Sequence, residues 1–505
     1  GGGPVIEGTK VSVSIHHGNA HGPGLRHPHE GIVYRRVTVG VELSHHVTDN
    51  TGGLHMSLLG GEPHLGHLVD DASLNGLQAI ARVGQRSRVN DRIGILQKGA
   101  FHFVGEFDVD NAFGIGSFGG SNGCSHRMAL MLLVPSNATL RLADVLPSCL
   151  SALTGVDNAL GLAPVKNAAV LLVDGLGAHN LRDHQGHARW LAKAWAQRGL
   201  SADVGFPSTT ASALTTLTTG VLPGEHGIVG YSVRDPDSGS IINHLKDWHP
   251  TVDPDTWQKS PTVFEAAAQR GISSLSQGEP RFATSDFTKA VWRGARFEGS
   301  ASLSEQFGRM EEFFAENNQG LAYLYWPALD RTGHGSGSES DSWMHRLEEL
   351  DAILSHSAEA LGPDTGLVIT ADHGMVDVPQ ESKIFVDEPS PLLEGVIAWA
   401  GEPRAPQLSL SSPSLVGPLV KRWRDELGEA AQVLTRDELV DTGALGALSD
   451  GVAERLGDII IVCIKPVAIY HIPSASKNSV AMTGQHGSVT LREREVPIIP
   501  AGAWR

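Results

Sequence analysis

From about residue 160 onward, short unbroken apolar runs alternate with amphipathic stretches. AAVLLV (168–173), LAYLYW (321–326), GLVIT (366–370) and DIIIVCI (458–464) are four such runs. An apolar run this short with no polar interruption predicts a strand buried on both faces, the pattern of a parallel sheet. Between them, ARWLAKAWAQRG (188–199) predicts a helix stopped by its Gly. SWMHRLEELDAILSHSAEAL (342–361) sets Leu347, Leu350, Leu354, Ala358 and Leu361 on one helical face. Strands alternating with helices predict an α/β fold, a mainly parallel central sheet with helices on both faces. Residues 381–480 carry more Pro, Gly and surface polarity and predict an inserted smaller subdomain.

The first 127 residues follow no such pattern. They hold half of the 24 histidines and 24 of the 59 glycines, but none of the ten tryptophans. HHGNAHGPGLRHPHEG (16–31) has neither helical nor strand periodicity. Three readings arise: a disordered or weakly folded Gly/His-rich extension, a His-rich metal-collecting arm, or translation from a mis-set start ahead of Met128. Residues 128–505 are then expected to form the main folded domain, with the insertion at about 381–480.

Composition narrows the function. A net charge of -17 argues against a nucleic-acid surface, which needs clustered Lys and Arg. Cys124, Cys149 and Cys463 lie far apart with no CxxC spacing. That excludes a thiolate zinc site and a disulfide framework, and fits a reducing, cytoplasmic location. No run of eighteen apolar residues exists, so no membrane helix is expected.

In open α/β sheets, sites form beyond the carboxyl ends of the strands. Asp174 follows the first run, in VDGLG. Asp330 and His334 follow the second, in LDRTGHG. Asp372 and His373 follow the third, in ADHGM, and His486 comes late, in TGQHG. Any one of these could be a turn residue or a cap. Together, three carboxylates and three imidazoles beside glycines suit divalent cations, zinc first. Six ligands exceed one tetrahedral ion; divided in two, they make a pair of ions of the kind that clamps a transferring phosphoryl group. FPSTTASALTTLTTG (206–220), rich in hydroxyls and without charge, offers a nucleophile for such a site.

VDGLG (173–177), FPSTTASALTTLTTGVLPGEHGIVGY (206–231), LDRTGHGSG (329–337), ADHGM (371–375) and GQHG (484–487) resemble, in order and spacing, the alkaline phosphatase superfamily. The likeness is to its nucleotide pyrophosphatase/type I phosphodiesterase branch and spans roughly 165–505. It implies an alkaline-phosphatase-like fold and two zinc ions. By this resemblance Asp174, Thr210, Asp372 and His373 would bind one ion, and Asp330, His334 and His486 the other. Thr210, at the start of a helix stopped by Gly220, would be the nucleophile. It would attack phosphorus and give a phosphothreonine, with the Ala211 N–H as a donor to a phosphate oxygen. Ser208 and Thr209 are the next candidates, and His226 is expected to hold a turn.

Two positions depart from the branch: Thr209 stands where Lys is usual and Ala213 where an oxygen-binding Asn is usual. The implied substrate is a small phosphate ester, with nucleotides among the candidates. Trp248 and Trp257 are candidates to stack on a base, set against plain core packing. A phosphomonoesterase or a phosphonoacetate-hydrolase-like enzyme of the same superfamily are the alternatives, along with a non-catalytic metal-binding scaffold. A sulfatase would need a Cys-x-Pro-x-Arg motif, which the sequence lacks.

Overall fold

The computed structural model describes residues 140–505, Asp247 apart, and ahead of them the backbone of two strands. The chain divides into two units, Gly1–Gly119 and Gly120–Arg505. In the first, Lys10–His16 and Arg36–Glu42 pair antiparallel. The expectations for the rest of 1–127, and for Cys124, lie outside the described residues.

The second unit is built on a seven-stranded sheet. Across it the order is Leu200–Asp203, Glu495–Gly502, Thr365–Thr370, Asn167–Val173, Gly320–Trp326, Ser273–Gly278 and Arg296–Gly299. The last five are mutually parallel, while Glu495–Gly502 runs antiparallel to both its neighbours. Asn167–Val173, Gly320–Trp326 and Thr365–Thr370 are buried at every position. Successive side chains point to opposite faces, so both faces of the sheet are covered. Three of the four apolar runs are these central strands.

The fourth run is a strand, Ile459–Cys463, but of a different sheet. It pairs antiparallel with Ala405–Leu410 and Ala431–Thr435, and Val396–Glu402 completes a four-stranded sheet. Ile460 and Val462 face the main core, while Ile459, Ile461 and Cys463 face a second core around Trp423 and Leu419. Burial on both sides makes the run continuous in an antiparallel sheet too, which is why its pattern mimics a parallel strand. This sheet, the pair Lys383–Val386 and Ala468–His471, and the helix Val416–Leu427 occupy the 381–480 stretch expected to be an insertion.

The predicted helices are present as Arg189–Arg198 and Asp341–Ala360. Leu347, Leu350, Leu354 and Ala358 are buried, and Leu361 lies just past the helix end. No helix among the described residues is long and apolar enough to cross a membrane.

Candidate active site

The hydroxyl-rich stretch folds as the helix Thr210–Thr219, buried at every position. A buried hydroxyl needs a partner, and an extended strand would leave these without one. The helix supplies partners internally. Thr215, Thr218 and Thr219 donate to the carbonyls of Ala211, Leu214 and Thr215, four residues back. Thr216 pairs with His226 Nε2 at 3.0 Å. The Ile228 N–H donates to His226 Nδ1, so the ring proton sits on Nε2 and goes to Thr216. Burial pushes His226 down to about 3, and the ring is a neutral brace in the turn after the helix.

Thr210 begins this helix, and its hydroxyl lies 3.1 Å from His373 Nε2. The same nitrogen is 3.4 Å from Asp174 Oδ1 and 3.4 Å from Asp372 Oδ2. Four oxygen and nitrogen atoms thus converge from two strand ends and one helix start. Three more converge beside them. His334 Nε2 is 3.4 Å from Asp330 Oδ1 and 3.3 Å from His486 Nε2, and His486 Nε2 is 3.8 Å from Asp330 Oδ1. Asp330 and His334 share one face of the helix Ala328–Ser336, four residues apart. The two sets touch: the His373 and His486 rings stack at 3.5 Å, and Asp330 also comes within 4.8 Å of the Asp174 and His373 ligand atoms. Gly175 makes this possible, because at φ 79° a Cβ there would stand 3.0 Å from Asp330 Cα.

The surroundings prepare these atoms for a cation. Each imidazole gives its Nδ1 proton to a carbonyl: His334 to Gly484, His373 to Gly374 and His486 to Ser208. All three Nε2 lone pairs are therefore left for the centre. Asp174 Oδ1, Asp330 Oδ1 and Asp372 Oδ2 are buried without a hydrogen-bond donor. Burial, then the Asp372 and Asp330 charges, hold the Asp174 carboxyl well above the usual carboxylate range. Burial, then His373 and His334, hold His486 well below the usual imidazole range. Orphaned carboxylate oxygens facing unprotonated imidazole nitrogens are a donor set that fits divalent cations with mixed nitrogen and oxygen ligands.

The other sequence candidates fall into place around this centre. Of the three adjacent hydroxyls, only Thr210 meets an imidazole of the cluster. Ser208 Oγ donates to the Ser488 carbonyl at 2.7 Å and accepts from Gly487 N–H at 3.2 Å. Thr209 is buried beside Glu402, whose carboxyl burial pushes up to about 8 against the lowering effect of that hydroxyl. Ala213 packs in the hydrophobic core. Trp248 and Trp257 are core residues as well, packed on His244, with the Arg455 guanidinium 3.6 Å from the Trp257 ring. They are not a base-stacking platform.

Sequence reading missed the residues that hold the candidate ligands. Tyr325 donates a short hydrogen bond to Asp174 Oδ2. It stands next to last in an apolar run, where an aromatic reads as core. Glu402, Arg404 and Glu493 are buried charges in unremarkable stretches; the one signal was two charges inside the otherwise apolar hairpin segment AWAGEPRAP.

Fold and site together define an alkaline-phosphatase-like α/β protein with a candidate metal centre at its strand ends. The family model described as type I phosphodiesterase / nucleotide pyrophosphatase matches residues 168–489, and the chain belongs to that family. An uncharacterized pyrophosphatase/phosphodiesterase of Schizosaccharomyces pombe is 24% identical over 191 residues, 36% of this chain and 39% of the relative. Human ectonucleotide pyrophosphatase/phosphodiesterase family member 5 is 23% identical over 181 residues, 34% of this chain and 37% of the relative. The matches thus span less than two fifths of these relatives' length. Among solved structures, murine ectonucleotide pyrophosphatase/phosphodiesterase 5 superposes with a TM-score of 0.51 at 17% identity, covering 66% of this chain and 87% of that one. An inactive form of the murine protein, solved in complex with AMP, superposes equally well at 16% identity, covering 66% of this chain and 88% of that one. At these identities the likeness concerns the fold.

Proposed function

We propose that the chain hydrolyses phosphodiester or pyrophosphate bonds with two zinc ions, through a phosphothreonine on Thr210. Asp174, Thr210, Asp372 and His373 would hold one ion, and Asp330, His334 and His486 the other. The observation that carries this reading is the Thr210 hydroxyl, buried at the head of a helix 3.1 Å from His373 Nε2 and among orphaned carboxylates. The ions, when bound, would lower the pKa of the Thr210 hydroxyl and of the hydrolytic water, and offset charge on the phosphoryl oxygens.

The chain's own residues would do the rest. The Thr210 oxygen attacks phosphorus in line, the P–O bond to the leaving group breaks, and the departing oxygen takes up a proton. The Ala211 N–H and the helix start would favour a non-bridging oxygen. Water then cleaves the phosphothreonine and returns the proton to Thr210. Burial of the Thr210 side excludes bulk water from the first step. The family supports this reaction class, and the AMP complex of the murine relative supports nucleotides as the first esters to try.

The deciding comparison is hydrolysis of bis-p-nitrophenyl phosphate against p-nitrophenyl phosphate by the zinc-loaded chain. Faster diester turnover is expected; a marked monoester preference would sink the diesterase reading in favour of a phosphomonoesterase. The cytoplasmic location belongs to the same proposal, and recovery of the protein in the extracellular fraction would refute it.

A further inference from the structure

The hairpin between Val396–Glu402 and Ala405–Leu410 turns through Pro403 and Arg404. It belongs to the 381–480 stretch, yet its tip reaches the candidate centre. Arg404 is fully buried and grips Glu493 through Nε at 2.6 Å and Nη2 at 2.8 Å. Its remaining donors go to the carbonyls of Lys465, Val467 and Cys463. Glu493 in turn accepts from Ser488 N–H at 3.0 Å and from the Thr490 hydroxyl at 2.6 Å. Ser488 lies two residues past His486. The segment carrying His486 is therefore tied through Glu493 to the hairpin.

Glu402 acts on the same imidazole from the other side. Its Oε2 is 3.8 Å from His486 Nδ1, the nitrogen opposite the one that faces Asp330 and His334. Gly487 leaves room for this carboxyl, since a Cβ there would stand 2.7 Å from Oε2. Glu402 Oε1 is buried and has no hydrogen-bond donor. The His486 Nδ1 proton goes to the Ser208 carbonyl at 2.9 Å, so Glu402 acts on the ring as a charge beside it, and that charge favours a cation on the far side of the imidazole. Carboxylates behind metal-binding histidines fix the ring and raise its basicity in this way.

We propose that the hairpin tip is a positioning device for the outer ligand set: Arg404 holds the 484–494 segment through Glu493, and Glu402 orients and polarises His486. Neither residue touches the substrate. The inserted subdomain is then a working part of the metal centre. This inference rests on the metal reading above, and the test separates the two.

Zinc is titrated into the chelator-stripped full chain by calorimetry, with a thermal melt of each sample. Wild type, Glu402→Gln, Arg404→Lys and His334→Ala are compared; the last identifies the step that belongs to the outer set. Glu402→Gln keeps size and leaves the Arg404–Glu493 pair intact. It should weaken that step about 10- to 100-fold and leave the other step and the melting temperature unchanged. Arg404→Lys, which cannot reproduce the two-pronged grip, should weaken the same step. Unchanged zinc binding in Glu402→Gln overturns the proposal. So does equal weakening of both steps together with a lower melting temperature, the mark of a purely structural role. Wild type that takes up no zinc would instead overturn the metal reading itself.

Discussion

The two candidate ligand sets touch but are built differently. Asp174, Asp372, His373 and Thr210 sit at the ends of central parallel strands and at one helix start, all within the main core and all nearly inaccessible. Asp330 and His334 lie at the rim and keep 14% and 22% of their side-chain surface exposed, while His486 is buried between them and the inner set. The inner set is held by the sheet itself. The outer set lies on a helix that follows the sheet and on a returning segment that Glu493 ties to Arg404. An interior packed to crystal density holds a ligand to a fraction of an ångström, whereas a rim ligand needs dedicated partners.

The sharpest test of the inner set is Thr210→Ala. Loss of the attacking oxygen should lower turnover of bis-p-nitrophenyl phosphate by about 10⁴-fold or more. Zinc content should stay near two per chain, because the carboxylates and imidazoles remain. Near-full activity would move the nucleophile to Thr209 or Ser208. Asp372→Asn comes next and should take metal and activity away together, since its orphaned oxygen has no other use. If both persist, Asp372 leaves the ligand set.

The outer set's dependence on the insertion is broken most directly by Arg404→Ala. It leaves the Glu493 charge buried and unpaired, and urea unfolding should show a loss of about 3–5 kcal/mol. A change within error would mean that the grip on the 484–494 segment is dispensable. The smallest effect concerns the braces behind the nucleophile helix. Burial lowers His226 to about 3 and His244 to about 4. Unfolded histidine takes up its proton near pH 6.5, so each ring adds stability above that pH which is lost as acid is added. The slope should approach 1.4 kcal/mol per pH unit per ring between about pH 6 and 4. His226→Gln should remove one ring's share of it; an unchanged slope would refute the assignment.

Much of the fold was legible because burial on both faces leaves a plain mark. Asn167–Val173, Gly320–Trp326 and Thr365–Thr370 could hardly read otherwise. The sheet's other strands carry weaker marks. SSLSQG (273–278) has too many hydroxyls to look buried, and EVPIIPAG (495–502) has two prolines, tolerable because Pro497 pairs only toward Leu200–Asp203 and Pro500 only toward Thr365–Thr370. Ile459–Cys463 shows the limit of the rule: burial on both faces was readable, but not which sheet supplied it. The candidate ligands were legible because Asp and His recur where strands end, beside glycines. Tyr325, Glu402, Arg404 and Glu493 were not, since each acts through a neighbour more than fifty residues away in sequence.

The sequence by itself determined the inventory: which side chains can coordinate, which hydroxyl can attack, and in what order they occur along the chain. Those follow from residue chemistry and from local periodicity, which need no partner. Only the tertiary structure decided that seven of these residues share one centre, that Thr215, Thr218 and Thr219 bond within a buried helix, and that the hairpin tip at Glu402 reaches back to His486. These depend on contacts between distant segments, such as Arg404 with Glu493, and no local pattern encodes the energy of a pair that folding alone brings together.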